Sequence, residues 1–349
     1  MNKSVVHRLK LAAYLSFSVG LAFACYFRPS PDDFDRYIYE SLIRSRTQAL
    51  EDVYRIIKHE SPRAEASSVL DSPGHLAQLG PLYAIRPLYL LLTGLLAEKL
   101  SPQQAINLVS AGSLFLIGLV VFVFTRNYLY SALLLLTPGL VTIGRIGTPD
   151  ALSTMMLAAG CAGILKEKLA PGILLLMISI WVRTDNVLFV LAVLGWLVWS
   201  HKVPRAYAGI LAGVAIGSVK YINYFSRNYG WKVLMHYSFV GGRYPAEMTT
   251  GITVSQYVHV FATNAESLLP QLAPFLLLGT VAWKMNSSSE RKILVPVAAA
   301  AIARYCLFPS GEARYFAWAC IITGMIFVRS IQERHKTFMI ENRTHAAAA

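Results

Sequence analysis

The chain has 349 residues, of which 55% are hydrophobic, and its mean hydropathy is +0.48. Apolar runs alternate with short polar segments, which excludes a soluble domain and predicts an all-α polytopic integral membrane protein. The formal net charge is +13, but lysine and arginine cluster between the apolar runs, as they do when they orient a protein in a bilayer, so no nucleic-acid partner is expected.

The first apolar stretch ends near Phe27 and follows a basic segment at 3–10. A small-x-small pattern at 22–24 is compatible with a signal peptide, but we favour an uncleaved helix with a cytoplasmic N-terminus. That orientation places the next loop, which carries Asp32 and Asp33, on the outer face.

Two long outer segments are predicted to lie on the membrane surface. In 28–80, apolar side chains such as Tyr39, Val53 and Ile57 recur at helical spacing with charged residues between them, the pattern of a surface-lying helix. In 223–269, aromatic residues alternate with basic ones, which predicts a second surface helix followed by a mobile loop.

Ten further apolar runs predict about ten transmembrane helices in all. The runs cover residues 81–97, 104–124, 128–145, 150–165, 171–182, 187–199, 206–222, 270–284, 293–308 and 314–329. If 81–97 dips into the outer leaflet without crossing, every later span changes direction. Five basic turns then lie on the cytoplasmic side together, as the charge bias requires. The runs 171–182 and 187–199 are too short to cross the membrane separately. They could form one long helix, or two short helices that meet at the floor of an outward-open cavity. The polar residues at their junction favour two short helices.

The same topology gathers unusual polar residues at the outer face. Arg183 and Asp185 interrupt an apolar region, which is costly unless they pair with each other or line a cavity. Thr148 is expected to cap the helix that begins at Asp150. The substrate-binding candidates are His75, Arg86, Asp150, Arg183, Asp185, Arg243, Glu312, Arg314 and Tyr315.

The acids after the first helix are the candidates for catalysis. A carboxylate at the mouth of a membrane cavity can remove a proton from an acceptor hydroxyl, and Asp33 is the first choice for this base. Asp32 would orient it or bind a cation, and Asp35 would point elsewhere if a helix begins near Phe34. The alternative, that Asp32 or Asp33 only caps that helix, stays open.

Arg314 can bind phosphate through charge-assisted, bidentate hydrogen bonds. Its neighbours Glu312 and Tyr315 follow a turn that directs them toward the bundle, and an interfacial anchor is the alternative role. The histidines and cysteines lack metal-ligand spacing and no Walker motif is present, so no cofactor is expected and a divalent cation stays an open question.

This arrangement resembles the GT-C superfamily of membrane glycosyltransferases, which includes protein mannosyltransferases and aminoarabinose transferases. An acidic pair follows the first helix, a Pro-Leu-Tyr segment stands at 81–83 and again at 87–89, a Thr-Pro-Asp turn at 148–150, and an Arg turn at 183–185. The resemblance covers roughly residues 9–200.

The resemblance implies a polyprenyl-phosphate-linked sugar donor, an acceptor glycan or lipid, and inverting transfer on the outer face. It makes Asp33 or Asp32 the general base and Arg183 and Arg314 the phosphate contacts. The expected location is a bacterial inner membrane, with the active site facing the periplasm.

Two regions are expected on this basis. Residues 1–222 form a GT-C-like transmembrane module that includes the outer loop, and 223–349 hold a second outer loop, the last transmembrane helices and a short cytoplasmic tail. Two other functions stay open: a polyprenyl-phosphate or lipid transporter, and a noncatalytic membrane subunit of a glycan assembly machine.

Overall fold

The computed structural model describes residues 3–30, 34–60, 71–241, 244–248, 252–285 and 289–348. These residues are 84% helical and contain no strand, so the predicted all-α class is confirmed. The α-helices are α1 Lys3–Phe27, α2 Phe34–Arg44, α3 Leu50–Glu60, α4 Pro73–Tyr83, α5 Pro87–Ala97, α6 Pro102–Thr125, α7 Tyr128–Leu135, α8 Pro138–Arg145, α9 Asp150–Leu165, α10 Leu169–Val182, α11 Val187–Trp199, α12 Arg205–Phe225, α13 Trp231–Met235, α14 Val254–Met285, α15 Leu294–Leu307 and α16 Ala317–Ala348.

Five of the described helices are long and apolar enough to cross a bilayer. They lie at Ser4–Phe27, Pro102–Thr125, Arg205–Phe225, Val254–Met285 and Ala313–His335. Two bent helix pairs, α4 with α5 and α7 with α8, raise the number to seven if each pair is one span. The chain is therefore a membrane protein with five to seven candidate spans in its described part.

The predicted count of about ten spans is not supported. Three apolar helices, Asp150–Leu165, Leu169–Val182 and Thr184–Trp199, have fewer than 18 residues each. A helix rises about 1.5 Å per residue, so the 16 residues of α9 extend about 24 Å, short of a hydrocarbon core of about 30 Å. The prediction recognised 171–182 and 187–199 as too short to cross separately but counted 150–165 as a span without weighing its length.

The run 81–97 is not one straight helix. Helix α4 ends at Tyr83 and α5 begins at Pro87, and their axes differ by 120°. Proline fixes its own backbone φ and disfavours helical geometry in the residue before it, which separates the two helices at Arg86. A sharp bend at this place agrees with the expectation that the run does not cross as a simple span.

The described residues between 28 and 83 form three helices, α2, α3 and α4, rather than the single surface helix predicted for 28–80. Helices α2, α3 and α4 bury a small apolar core that includes Ile38, Val53, Ile57 and Leu79, each fully buried. The second predicted surface helix corresponds to α13, whose Leu234 packs against the same core. In the mobile loop predicted after it, residues 242–243 and 249–251 lie outside the described residues.

Helices α10 and α11 are two separate helices, as the short-helix alternative predicted. A 3₁₀ turn at Thr184–Asn186 joins them. The amide of Asn186 donates to the carbonyl of Ser179 at 2.9 Å and to the hydroxyl of Ser153 at 2.8 Å. These bonds satisfy buried polar groups and fix the turn against α9, because an unpaired amide in the interior would be costly.

Helices α6, α9 and α16 run in the same direction and give the bundle two polar ends. At the arginine end, Asp150 begins α9 and Arg314 precedes α16. At the basic end, the Lys166 ammonium follows α9 and donates to the carbonyl of Val123 near the end of α6, at 2.6 Å. The polar turns thus separate into two groups, as the charge pattern predicted; the side of the membrane that each group faces stays a prediction.

Candidate functional site

Four arginines and four carboxylates meet at the arginine end and form the arginine cluster. Its members are Arg86, Arg183, Arg304 and Arg314, with Asp35, Asp150, Asp185 and Glu312. They come from α2, α9, α15, the bend between α4 and α5, and the turns that precede α11 and α16. Residues far apart in the sequence therefore share one site.

The buried half of the cluster is a chain of ion pairs. The Arg183 guanidinium pairs with Asp150 and also with Asp185, where Nε and Oδ1 are 3.1 Å apart; Arg304 pairs with Asp185 from α15. The side chains of Asp150 and Arg183 are only 4% and 10% exposed. Charges this deeply buried are tolerated when they are paired and hydrogen-bonded, so each of these residues depends on its partners.

The helix start at Asp150 differs from the prediction in its cap. Pro149 occupies the N-cap position, and the hydroxyl of Thr148 donates to Asp150 Oδ2 at 2.9 Å. The prediction that Thr148 caps the helix was wrong, because the buried carboxylate engages its hydroxyl. Thr148 supports the ion pair instead.

Arg314 organises the outer half of the cluster. Its guanidinium lies 3.2 Å from Asp35 Oδ2 and 2.5 Å from Glu312 Oε2. The hydroxyl of Tyr83 donates to Asp35 Oδ1 at 2.5 Å. Helix α2 begins at Phe34 as expected, but the expectation that Asp35 points elsewhere was wrong, since α4 packs beside this first turn and draws the carboxylate into the cluster.

Tyr315 joins the two halves. The guanidinium carbons of Arg183, Arg304 and Arg314 lie 5.3, 5.4 and 4.8 Å from its ring centroid. Each distance is within the range of cation–π attraction. One aromatic ring therefore attracts three guanidinium groups and helps to position them.

Arg86 differs from the other arginines of the cluster. Its guanidinium lies 5.7 and 5.3 Å from the ring centroids of Tyr39 and Tyr83 and donates to the carbonyl of Leu82 at 2.8 Å. In the described part of the chain no carboxylate lies within ion-pair distance of it. Burial raises the pKa of the Tyr39 hydroxyl, so a neutral ring faces this cation. Arg86 is therefore held by two aromatic rings and a backbone carbonyl, while the carboxylates of Asp35 and Asp185 act on it only from beyond ion-pair distance.

The segment after α13 covers the outer side of the cluster. Tyr237 lies in a π-helical turn at His236–Val240. Burial, and then the nearby Asp35 carboxylate, raise the pKa of Tyr237 to about 12. This hydroxyl is thus protonated at neutral pH and can only act there as a neutral hydrogen-bonding group.

Two cavities that have lining residues in common lie beside Arg314 and between the last three helices. A pocket of about 400 Å³ lies beside Arg314 and Glu312, between α8, α14 and α16. An apolar groove of about 670 Å³ lies between α14, α15 and α16. Phe275 and Cys320 line both, so the charged pocket and the apolar groove share a wall.

Most of the predicted binding residues meet in the cluster, namely Arg86, Asp150, Arg183, Asp185, Glu312, Arg314 and Tyr315. His75 instead stacks on Tyr244, with ring centroids 3.3 Å apart. Asp32, Asp33 and Arg243 lie outside the described residues.

The sequence reasoning missed Arg304, Tyr83 and Asn186. Arg304 was counted as part of the apolar run 293–308. A charged side chain that faces lipid is costly. An arginine inside an apolar run therefore indicates a polar site in the protein interior, and the sequence contained this signal. Asn186 carries no comparable signal, and Tyr83 was noted only as part of the Pro-Leu-Tyr segment at 81–83, without a role in the site.

Among the described residues, no group of three or more histidine, cysteine, aspartate or glutamate side chains is arranged to hold a metal ion. The cluster's carboxylates face guanidinium groups instead. Comparisons with protein-family models, with curated protein sequences and with solved structures find no match to this chain.

Proposed function

We propose that this protein is a GT-C-type membrane glycosyltransferase. It would move a sugar from a polyprenyl-phosphate-linked donor to a hydroxyl of an acceptor glycan or lipid, at the periplasmic face of a bacterial inner membrane. The observation that carries the proposal is the wall shared by the Arg314 pocket and the apolar groove. An anionic head attached to a long apolar tail is the ligand shape that suits both.

The donor phosphate is assigned to Arg314 and Arg86. Arg314 borders the pocket, and Arg86 lacks a carboxylate partner among the described residues. The resemblance also implied Arg183 as a phosphate contact, but Arg183, unlike Arg314, does not line the pocket, and its guanidinium is buried between Asp150 and Asp185. We therefore assign Arg183 to holding the cluster together. The polyprenyl chain would lie in the groove between α14, α15 and α16.

The proposed reaction is a direct displacement at the anomeric carbon. The bond from that carbon to the donor phosphate oxygen breaks while a bond to the acceptor oxygen forms, with inversion. The acceptor's proton passes to a carboxylate base, and the electron pair of the broken bond leaves with the polyprenyl phosphate. Arginine neutralises the charge that develops on the phosphate, so a second catalytic acid is not required.

Asp33 is assigned as the base. Asp35 is a weaker choice because Tyr83 and Arg314 already engage its two oxygens; it is better suited to positioning Arg314. Asp33 stands two residues earlier in the chain, and its role stays a prediction.

The test is transfer by the purified full-length protein in proteoliposomes. A polyprenyl-phosphate donor carrying labelled hexose or pentose is supplied with extracted envelope lipids and glycans, and labelled product and released polyprenyl phosphate are measured. Asp33→Asn is expected to lower transfer by about 10²- to 10⁴-fold while donor binding by native mass spectrometry is retained. The matched control is Asp52→Asn on α3, where the carboxylate is 55% exposed, and its transfer should equal wild type.

The other outcomes distinguish the alternatives. Full transfer by Asp33→Asn would remove that residue as the base. Movement of labelled lipid between leaflets without transfer would favour a transporter. Absence of donor binding in a folded wild-type protein that co-purifies with glycan-assembly enzymes would favour a noncatalytic subunit.

A further inference from the structure

A second cavity with charged walls lies at the basic end of the bundle, away from the arginine cluster. It has a volume of about 740 Å³ and is bordered by the end of α6, the turn after α9 and the lower part of α16. Arg126, Lys166 and Arg329 contribute cations to its wall, and His335 stands at its edge. Basic residues from two turns and from helix α16, which are distant in sequence, thus line one cavity.

The cations of this cavity outnumber its acids. Among the described residues that line it, the single carboxylate is Glu333, which lies 3.5 Å from Arg329 Nε. Burial lowers the pKa of Lys166, and the charges of Arg126 and Arg329 lower it further. The three cations therefore act on one another, and an anion placed between them would relieve their repulsion.

Two of the three basic side chains, those of Lys166 and Arg329, are held in place by contacts within the bundle. The Lys166 ammonium donates to a backbone carbonyl of α6, and the charged groups of Lys166 and Arg329 lie 5.8 and 5.3 Å from the ring centroid of Phe124. The amide of Gln332 donates to the carbonyl of Thr125 at 2.7 Å, which joins α16 to the end of α6. These groups are preorganised, so an anion bound there would lose little affinity to ordering of side chains.

An apolar cleft adjoins this cavity. It has a volume of about 670 Å³ between α1 and α7, and its wall includes Tyr14, Phe17 and Leu129. Arg126 and Tyr130 line both the cleft and the basic cavity. Cations that only orient a protein in the bilayer need not converge on a cavity, and they need no neighbouring apolar cleft.

We infer that the basic end holds a binding site for an anionic membrane phospholipid, with the phosphate among Arg126, Lys166 and Arg329 and an acyl chain in the cleft beside α1. Basic pockets between transmembrane helices bind acidic headgroups by charge-assisted hydrogen bonds. The site is separate from the arginine cluster, because α9 and α16 carry the chain from one end of the bundle to the other.

The test is lipid retention by the delipidated full-length protein in a neutral detergent. Phosphatidylglycerol and diacylglycerol with the same acyl chains are titrated, and bound lipid is counted by native mass spectrometry. Wild type is expected to bind phosphatidylglycerol at least tenfold more tightly than diacylglycerol. The double variant Lys166→Gln, Arg329→Gln should bind phosphatidylglycerol about tenfold or more weakly than wild type, because charged hydrogen bonds to the phosphate are lost.

Two controls keep the result interpretable. Arg205→Gln removes an exposed cation at the start of α12, outside the cavity, and should leave retention within about twofold of wild type, as surface charges typically do. If the double variant does not fold, Arg126→Gln replaces it, since Arg126 is exposed; it should lower retention by itself.

Equal losses in the cavity variants and in Arg205→Gln would overturn the inference, since the basic end would then attract lipid only through its overall charge. Stabilisation of wild type by millimolar inorganic phosphate without retention of phosphatidylglycerol would also overturn it, because the bound group would be a free anion. Retention that phosphate does not displace, and that the cavity variants lose, supports a lipid.

Discussion

The two ends of the helix bundle both present basic side chains, but what faces those side chains differs. At the arginine end, Arg183, Arg304 and Arg314 each meet a carboxylate. At the basic end, Glu333 is the single carboxylate among the described residues that line the cavity. Ion pairs inside a bundle hold helices together, whereas an excess of cations over carboxylates beside a cavity favours the binding of an anion. Charge balance therefore distinguishes the two ends, and Arg314 is the paired arginine that also borders a pocket.

Breaking a buried pair at the arginine end should have the largest effect. Arg183→Ala leaves the buried Asp150 carboxylate without its cation, and the free energy of unfolding is expected to fall by about 3–5 kcal/mol. Denaturant unfolding in detergent measures this free energy of unfolding. Arg55→Ala is the matched control, because that arginine is 75% exposed on α3 and should change stability by no more than about 0.5 kcal/mol. A loss as small as the control's would mean that the pair does not hold the end together.

Removal of Arg86 compares an arginine that has no ion pair with a described carboxylate with the paired arginines at the same end. Because Arg86 forms no ion pair with a described carboxylate, Arg86→Ala should cost less stability than Arg183→Ala. Donor affinity should fall by about 10- to 150-fold, the range for a lost hydrogen bond to a charged group. Native mass spectrometry with a polyprenyl-phosphate donor measures the affinity. Unchanged binding would show that the donor phosphate lies elsewhere.

The close contact of α9 with α10 offers a smaller, structural test. A methyl group on Gly172 would lie 2.8 Å from the carbonyl of Gly160 and 2.9 Å from the amide nitrogen of Ile164. Backbone atoms cannot yield as a flexible side chain does, so Gly172→Ala should lower the free energy of unfolding by about 1–3 kcal/mol. Gly209→Ala on α12 meets nothing within 4 Å and should be neutral or slightly stabilising. Equal stability of both variants would show that α9 and α10 can separate without cost.

The sequence predicted the kind of protein more securely than its number of spans. Composition and apolar runs identified helices and a membrane, and the pair Arg183 and Asp185 located the break between α10 and α11. The span count was wrong because hydropathy registers apolar side chains, whereas crossing also requires length. The sharp bend at Arg86 was signalled by Pro87, whose ring restricts the residue before it.

Most candidate-site residues were predicted because their charge stands at the edge of an apolar run or, for Arg86, beside a proline that interrupts one; Arg304, inside an uninterrupted part of a run, was missed. Arg314 and Asp150 stand at such edges. Asp35 was misjudged because its direction depends on α4, which packs beside it only through the folding of residues distant in the chain. Pairwise partners of this kind are set by tertiary packing, which local spacing does not encode.

Cys320 stands in the wall common to the Arg314 pocket and the apolar groove, while Cys25 and Cys161 are buried elsewhere and Cys306 is exposed. A version of the protein that keeps only this thiol would carry a single attachment point for a spin label or fluorophore where a lipid's headgroup would give way to its chain. The thiol is itself buried, with 8% exposure, so a fall in its rate of alkylation when a polyprenyl phosphate is added would report that the lipid fills the space beside it.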